Sequence, residues 1–201
     1  MRKPAWRRRG FALLCAAIAL ALLAAAGCGL QTDEANKDLV KANAHKQQAE
    51  AIIAKLKALP NDWQNIFATP APTPQQITAA RALIAARVAD LDALEKEIRA
   101  WLFDVNAISK LNVDDKIKEY VKLKSSSIKQ WEDYTLTGLT PLVKSYNNLL
   151  DTIALGQSAV QQQAAAAQIT SAASDSIQKL EDCLNAQRAA DNFFKANKLG
   201  K

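Results

Sequence analysis

Few side chains in this 201-residue sequence are equipped for covalent or metal chemistry. There is one histidine, His45, and there are three cysteines, Cys15, Cys28 and Cys183. A catalytic triad would have to recruit His45, which stands between Ala44 and Lys46 in a polar stretch and reads as a surface histidine. Di-iron bundles need two Glu-x-x-His elements on separate helices, and one histidine cannot supply them. No Cys-x-x-Cys-His is present for covalent haem, and Met1 is the sole methionine, so no axial thioether is at hand. With six glycines scattered along the chain, no phosphate-cradling loop can be traced. The expectation is a protein that is not an enzyme and needs no metal or other cofactor.

Charge is informative through its placement. The formal charge is +6, yet Arg2, Lys3, Arg7, Arg8 and Arg9 precede residue 28 with no acid among them. Removing those five from 26 basic residues leaves 21 against 20 acidic, a net of +1. A near-neutral body lacks the basic stripe of a nucleic-acid binder, so no nucleic-acid partner is expected. The remaining acids and lysines alternate at helical spacing, as on a solvated face.

The basic head Met1–Gly10 is followed by the uncharged run Phe11–Ala26 and then by Gly27-Cys28-Gly29. Charged head, apolar middle and small-residue boundary make a secretory signal peptide. Ala25-Ala26-Gly27-Cys28 resembles the lipobox of bacterial lipoproteins, although Ala25 stands where that family usually has Leu. The resemblance implies cleavage before Cys28 and acylation there, with palmitate among the acyl chains. It implies a body held at the extracytoplasmic face of the cell membrane through lipid on Cys28. An uncleaved transmembrane anchor over Phe11–Leu30 is the competing reading, and it places the body on the same side. Cys15 then lies in the signal, leaving Cys183 without an internal disulfide partner. Cys183 is either a small half-buried hydrophobe on a helix or one half of a bridge between chains.

Positioning falls to helices. Beyond Leu30 the chain is rich in Ala, Leu, Lys, Gln and Glu, and apolar residues recur every three or four positions. The first helix is expected over Thr32–Leu59, stopped by Pro60. Thr73-Pro74-Gln75-Gln76 opens the second as a capping box with proline at the first helical position. The third opens at Asn112 and ends at Gly156, kinked near Pro141 within Thr137-Gly138-Leu139-Thr140-Pro141. The fourth starts at a second box, Ser158 to Gln161, and runs to about Lys198. Short connections make consecutive helices antiparallel neighbours. The expected fold is all-α: an elongated antiparallel up-down-up-down four-helix bundle with coiled-coil-like stripes. Its divisions are a signal peptide (1–27), a lipid anchor and tether (28–34), and a bundle domain (35–201) with a Pro-rich loop at 60–74. Nothing in the sequence sets an oligomeric state.

Two groups of aromatics remain as candidate sites. Trp63 and Phe67 fall in the Pro-rich loop, either plugging the bundle end or forming a tip that binds a protein or cell-wall partner. Trp131 and Tyr134, beside Pro141, would line an apolar ligand pocket if the bundle opened at the break. The first expectation is therefore a lipid-anchored interaction or scaffolding module, the second a small-ligand receptor. Topology also predicts that Phe103, Tyr120, Phe193 and Phe194 gather at the pole near the anchor.

Overall fold

The computed structural model describes residues 30–67 and 72–199; the signal segment and Cys28 lie outside the described residues. The described chain is a helical bundle: α1 (Thr32–Ile66), α2 (Pro74–Ile108), α3 (Asp115–Asp133), α4 (Thr140–Ala154) and α5 (Ala159–Ala196). A π-helical turn, Tyr134–Leu139, joins α3 to α4 without leaving the helix, so these form one continuous run. No strand occurs among the described residues.

The caps form where the residues demand them. Thr73 Oγ1 accepts from the Gln76 N–H while Gln76 Oε1 accepts from the Thr73 N–H, at 3.2 and 2.8 Å. Ser158 and Gln161 make the same reciprocal pair ahead of α5. Asp114 caps α3 through the Lys116 N–H at 2.8 Å, so that helix begins two to three residues later than expected. Gly156 takes the left-handed conformation that closes α4, with φ +62°.

Pro60 does not stop α1. It lies inside the helix, which runs on to Ile66, so the supposed loop is helical over 60–66 and only the stretch from Phe67 to Thr73 connects α1 to α2. An internal proline costs about 3 kcal/mol through its missing N–H and its clash with the preceding turn. Flanking burial offsets that cost: Leu59 is fully buried and Trp63 is 9% exposed. Fully burying large apolar side chains is worth about 1.5–3 kcal/mol each.

Side-chain pairs link neighbouring helices in a consistent order. His45 meets Glu97, Lys55 meets Asp90 and Asp62 meets Arg87, so partners on α2 fall in number as those on α1 rise. Between α3 and α5 the same inversion links Tyr120 to Phe194, Lys124 to Asp191 and Asp133 to Lys179. At one pole Gln31 and Asn112 exchange two bonds, Gln31 N–H to Asn112 C=O at 2.8 Å and Asn112 N–H to Gln31 Oε1 at 2.9 Å. The start of α1 is thereby tied to the α2–α3 turn.

Buried positions recur every seven residues, the spacing of knobs-into-holes packing. On α1 the row is Ala35, Ala42, Ala49, Leu56, Trp63; on α5 it includes Ser176, Cys183 and Ala190. The core cluster also holds the large Trp63 on α1, Trp101 on α2, Trp131 on α3 and Tyr134 in the π-turn. The small row of α5 and the alanines at the start of α1 let those stretches approach bulkier neighbours closely.

The tightest approach is at Gly138. A side chain there would start 3.3 Å from the Ser176 Cα and 3.0 Å from the Tyr134 ring. Alanine favours a helix over glycine by about 1 kcal/mol, but its methyl would force the α5 backbone and the buried Tyr134 ring to shift. Gly138→Ala is therefore expected to lower stability by about 1–2 kcal/mol in urea melts, against its helix propensity.

Candidate functional site

The expected binding tip is inside the protein. Trp63 lies on α1, with its ring 4.8 Å from Phe67 and 5.1 Å from Tyr146. Phe67 is partly buried against the same core. The two rings plug the end of the bundle, and the reading of Trp63 and Phe67 as partner anchors is corrected accordingly. Nothing in the sequence around Pro60 told the helix to continue; the signal was the seven-residue register that carries Ala49 and Leu56 on to Trp63.

Trp131 and Tyr134 are brought together, edge to face at 5.8 Å, but as packed core residues. Burial raises the Tyr134 hydroxyl above its ordinary pKa, opposed by its hydrogen bond with Ser176. Pro141 is exposed and stands apart from them. Trp131 Nε1 and, one turn earlier, Ser127 Oγ are buried without a hydrogen-bond partner, a cost of about 1–3 kcal/mol each. The expected aperture at Trp131, Tyr134 and Pro141 is not where space opens.

Space opens on the neighbouring outer face. A half-open groove of about 600 Å³ runs between α2 and the π-turn with α4. Its apolar floor is Ile84, Val88, Leu91, Leu136 and Val143, and Val88 and Leu136 remain 47% and 49% exposed. Its walls carry Asp92, Glu95 and Asp151 against a single cation, Lys144. Thr135 and Thr140 also line it, but their hydroxyls are committed to the Trp131 and Thr135 carbonyls at 2.9 Å each. The π-turn presents Leu136 to this groove while Gly138 and Leu139 face inward. Sequence reasoning expected a kink at Thr137–Pro141, where the helix instead runs on through the π-turn Tyr134–Leu139, and it missed the groove, because its second wall comes from α2, some fifty residues away.

The reactive groups are sequestered. His45 is half-buried between two carboxylates, with Nδ1 2.7 Å from Glu97 Oε2 and Nε2 3.7 Å from Asp104 Oδ2. It is a strut between α1 and α2, not the isolated surface histidine expected. Cys183 is fully buried and its thiol donates to the Gln130 carbonyl at 2.9 Å. Burial pushes that thiol up to about 12, with Asp133 and Asp182 adding to the effect. Among the described residues no group of three His, Cys, Asp or Glu side chains is placed to hold a metal.

Lys124 is the most unusual charge. Only 7% exposed, it lies 5.6 Å from the Trp101 ring centre and 3.7 Å from Asp191. Burial lowers its pKa, with Asp191 opposing and Lys46 reinforcing the shift. Phe103, by contrast, is 71% exposed on α2, so it does not join Tyr120 and Phe194, whose rings meet at 5.0 Å.

The chain matches no protein-family model, no curated protein and no solved structure.

Two outcomes follow from the buried groups. In the folded protein Cys183 should resist thiol reagents for hours, reacting only on denaturation, which also precludes a bridge between native chains; rapid labelling of native protein would contradict its burial. Lys124→Met should raise stability by about 1 kcal/mol at pH 7, because it removes a desolvated charge while keeping the apolar stem. A lysine whose pKa is lowered by folding destabilises the fold while both states are protonated. That penalty fades as pH rises from the lowered value toward 10.5, so the gain from Lys124→Met should shrink along that range in paired urea melts.

Proposed function

We propose that this protein is a lipid-anchored, extracytoplasmic helical bundle that works by binding, as an interaction or scaffolding module of the cell envelope. The observation that carries the reading is the order of residues 1–32. A cationic head, a charge-free apolar run and Ala25-Ala26-Gly27-Cys28 are followed within four residues by the start of α1. On this reading the membrane contact is the lipid on Cys28, and the partner is a protein or a component of the cell wall. No helix among the described residues is long and apolar enough to cross a membrane.

The inversion of partner numbers along α1–α2 and α3–α5 supports an up-down-up-down arrangement, and the π-turn before Pro141 supports a bend there. In such a rod the Gln31–Asn112 latch and the end of α5 share the anchored pole. Lys195 and Lys198 then face the membrane, each worth about 1 kcal/mol near an anionic surface. A non-enzymatic role fits the burial of Cys183 and the clamping of His45, which leave apolar surface rather than reactive groups on offer.

The second reading, a small-ligand receptor, is favoured by one observation: the groove between α2 and α4 lies in the size range of small-molecule sites, about 300–1,000 Å³.

Intact-mass analysis of membrane-extracted protein tests the anchor. The expected mature chain begins at Cys28 and carries the added mass of its acyl groups, and Cys28→Ser leaves the protein unprocessed or released. Membrane-bound mature protein with an unmodified Cys28 would overturn the lipoprotein reading.

A further inference from the structure

We propose that the groove between α2 and α4 binds a small cationic amphiphile: a protonated amine or quaternary ammonium on an unbranched apolar body. The proposal deepens the binding role inferred above and rests on it.

Shape comes first. Arg87 reaches Asp62 while Tyr146 packs on the adjacent Trp63, so Arg87 of α2 and Tyr146 of α4 share one level of the bundle. Asp92 lies five residues beyond that level in one direction and Asp151 five residues beyond it in the other. At 1.5 Å per residue the groove is about 15 Å long between these carboxylates. A volume of about 600 Å³ drawn out over that length is a slot. A docked helix, about 10–12 Å across, could enter it with one row of side chains only. A slender small molecule can fill it.

Chemistry selects the charge. The donors of the walls are mostly spent: Thr135 and Thr140 on backbone carbonyls, Asn147 on Asp151, Asn148 on Gln168. Asp92 enters no hydrogen bond or ion pair, and Glu95 stands one turn further on the same face of α2. Glu95 is paired with the exposed Arg99 at the rim. The lining therefore offers one free acceptor, Asp92, at the π-turn end and an apolar floor of Val88, Leu91 and Val143 beside it. A cationic head fits against Asp92, with Glu95 adding negative charge one turn away and the tail along that floor. Lys144, exposed and unpaired on the α4 wall, stands between the two acidic ends and repels a second positive charge in mid-chain. The slot thus discriminates against polyamines, and the excess of carboxylates discriminates against fatty-acid anions.

Full-length protein in lipid nanodiscs is titrated calorimetrically with octylammonium, octanoate and octanol, empty nanodiscs serving as the reference. Octylammonium should bind at least tenfold tighter than octanoate and severalfold tighter than octanol. Asp92→Asn combined with Glu95→Gln should erase the preference for the amine and leave octanol unchanged. Val88→Trp, at a half-exposed position that can accept the ring, should fill the slot and abolish binding with an unaltered melt. Octanoate binding as tightly as the amine, amine binding that survives Val88→Trp, or no amine heat above the empty-nanodisc reference would each overturn the proposal. The mass of Cys28 read on the same sample keeps the two readings separable, since an acylated protein with an inert groove loses only this inference.

Discussion

The close approach of α5 to the π-turn is the contact on which the rest of the arrangement depends. The α5 backbone at Ser176 comes so near Gly138 that a methyl group there would sit only 3.3 Å from the Ser176 Cα. Tyr134 lies against the same spot, shares a hydrogen bond with Ser176 and holds its ring edge-on to Trp131. Two turns further along α5 the small Cys183 fits under the Gln130 carbonyl. A larger residue at any of the row Ser176, Cys183, Ala190 would push α5 outward, and with it the pairs Lys124–Asp191 and Tyr120–Phe194 that hold the lower half. Close packing in proteins has few voids to absorb such a change.

The π-turn is the other side of that constraint. An extra residue in one turn changes the phase of the helix, so α3 and α4 need not present the same face to their neighbours. Gly138 and Leu139 are thereby turned into the contact with α5, and Leu136 is turned out beside Val88 of α2. The groove and the tight packing are two consequences of one local insertion. Pro141 stabilises the choice: lacking an N–H, it suits the first turn of α4 and cannot complete an ordinary α-helical ladder through the break.

How much of this was legible in the sequence follows from the range of the interactions involved. Both capping boxes and the Gly156 terminus are set by residues within four positions of each other, and each stands where the sequence put it. Pro60 misled because its local penalty is real and its compensation is not local: Leu59 and Trp63 gain their burial from α2 and α4. His45 misled for the same reason, since Glu97 and Asp104 are invisible from Ala44 and Lys46. Lys124 looks in sequence like one more lysine on a polar helix, and only the convergence of Trp101, Asp191 and Lys46 from three other helices makes it a buried charge. The groove belongs to this class too, its two walls being written about fifty residues apart.

Burial also divides the molecule's chemistry. The Cys183 thiol is tied to a carbonyl, the His45 imidazole to two carboxylates, and the buried Lys124 ammonium to an aromatic face and an aspartate. Each of these ties also serves the packing of α1 on α2 or of α3 on α5. What the fold leaves free is different in kind. Asp92 and Lys144 are unpaired, and Val88 and Leu136 are half-exposed, all on one outer face that no helix of the described chain covers. A surface of that composition sets charge beside apolar contact. Anything bound there would meet both at one fixed place on the bundle, which is what the proposed binding role requires.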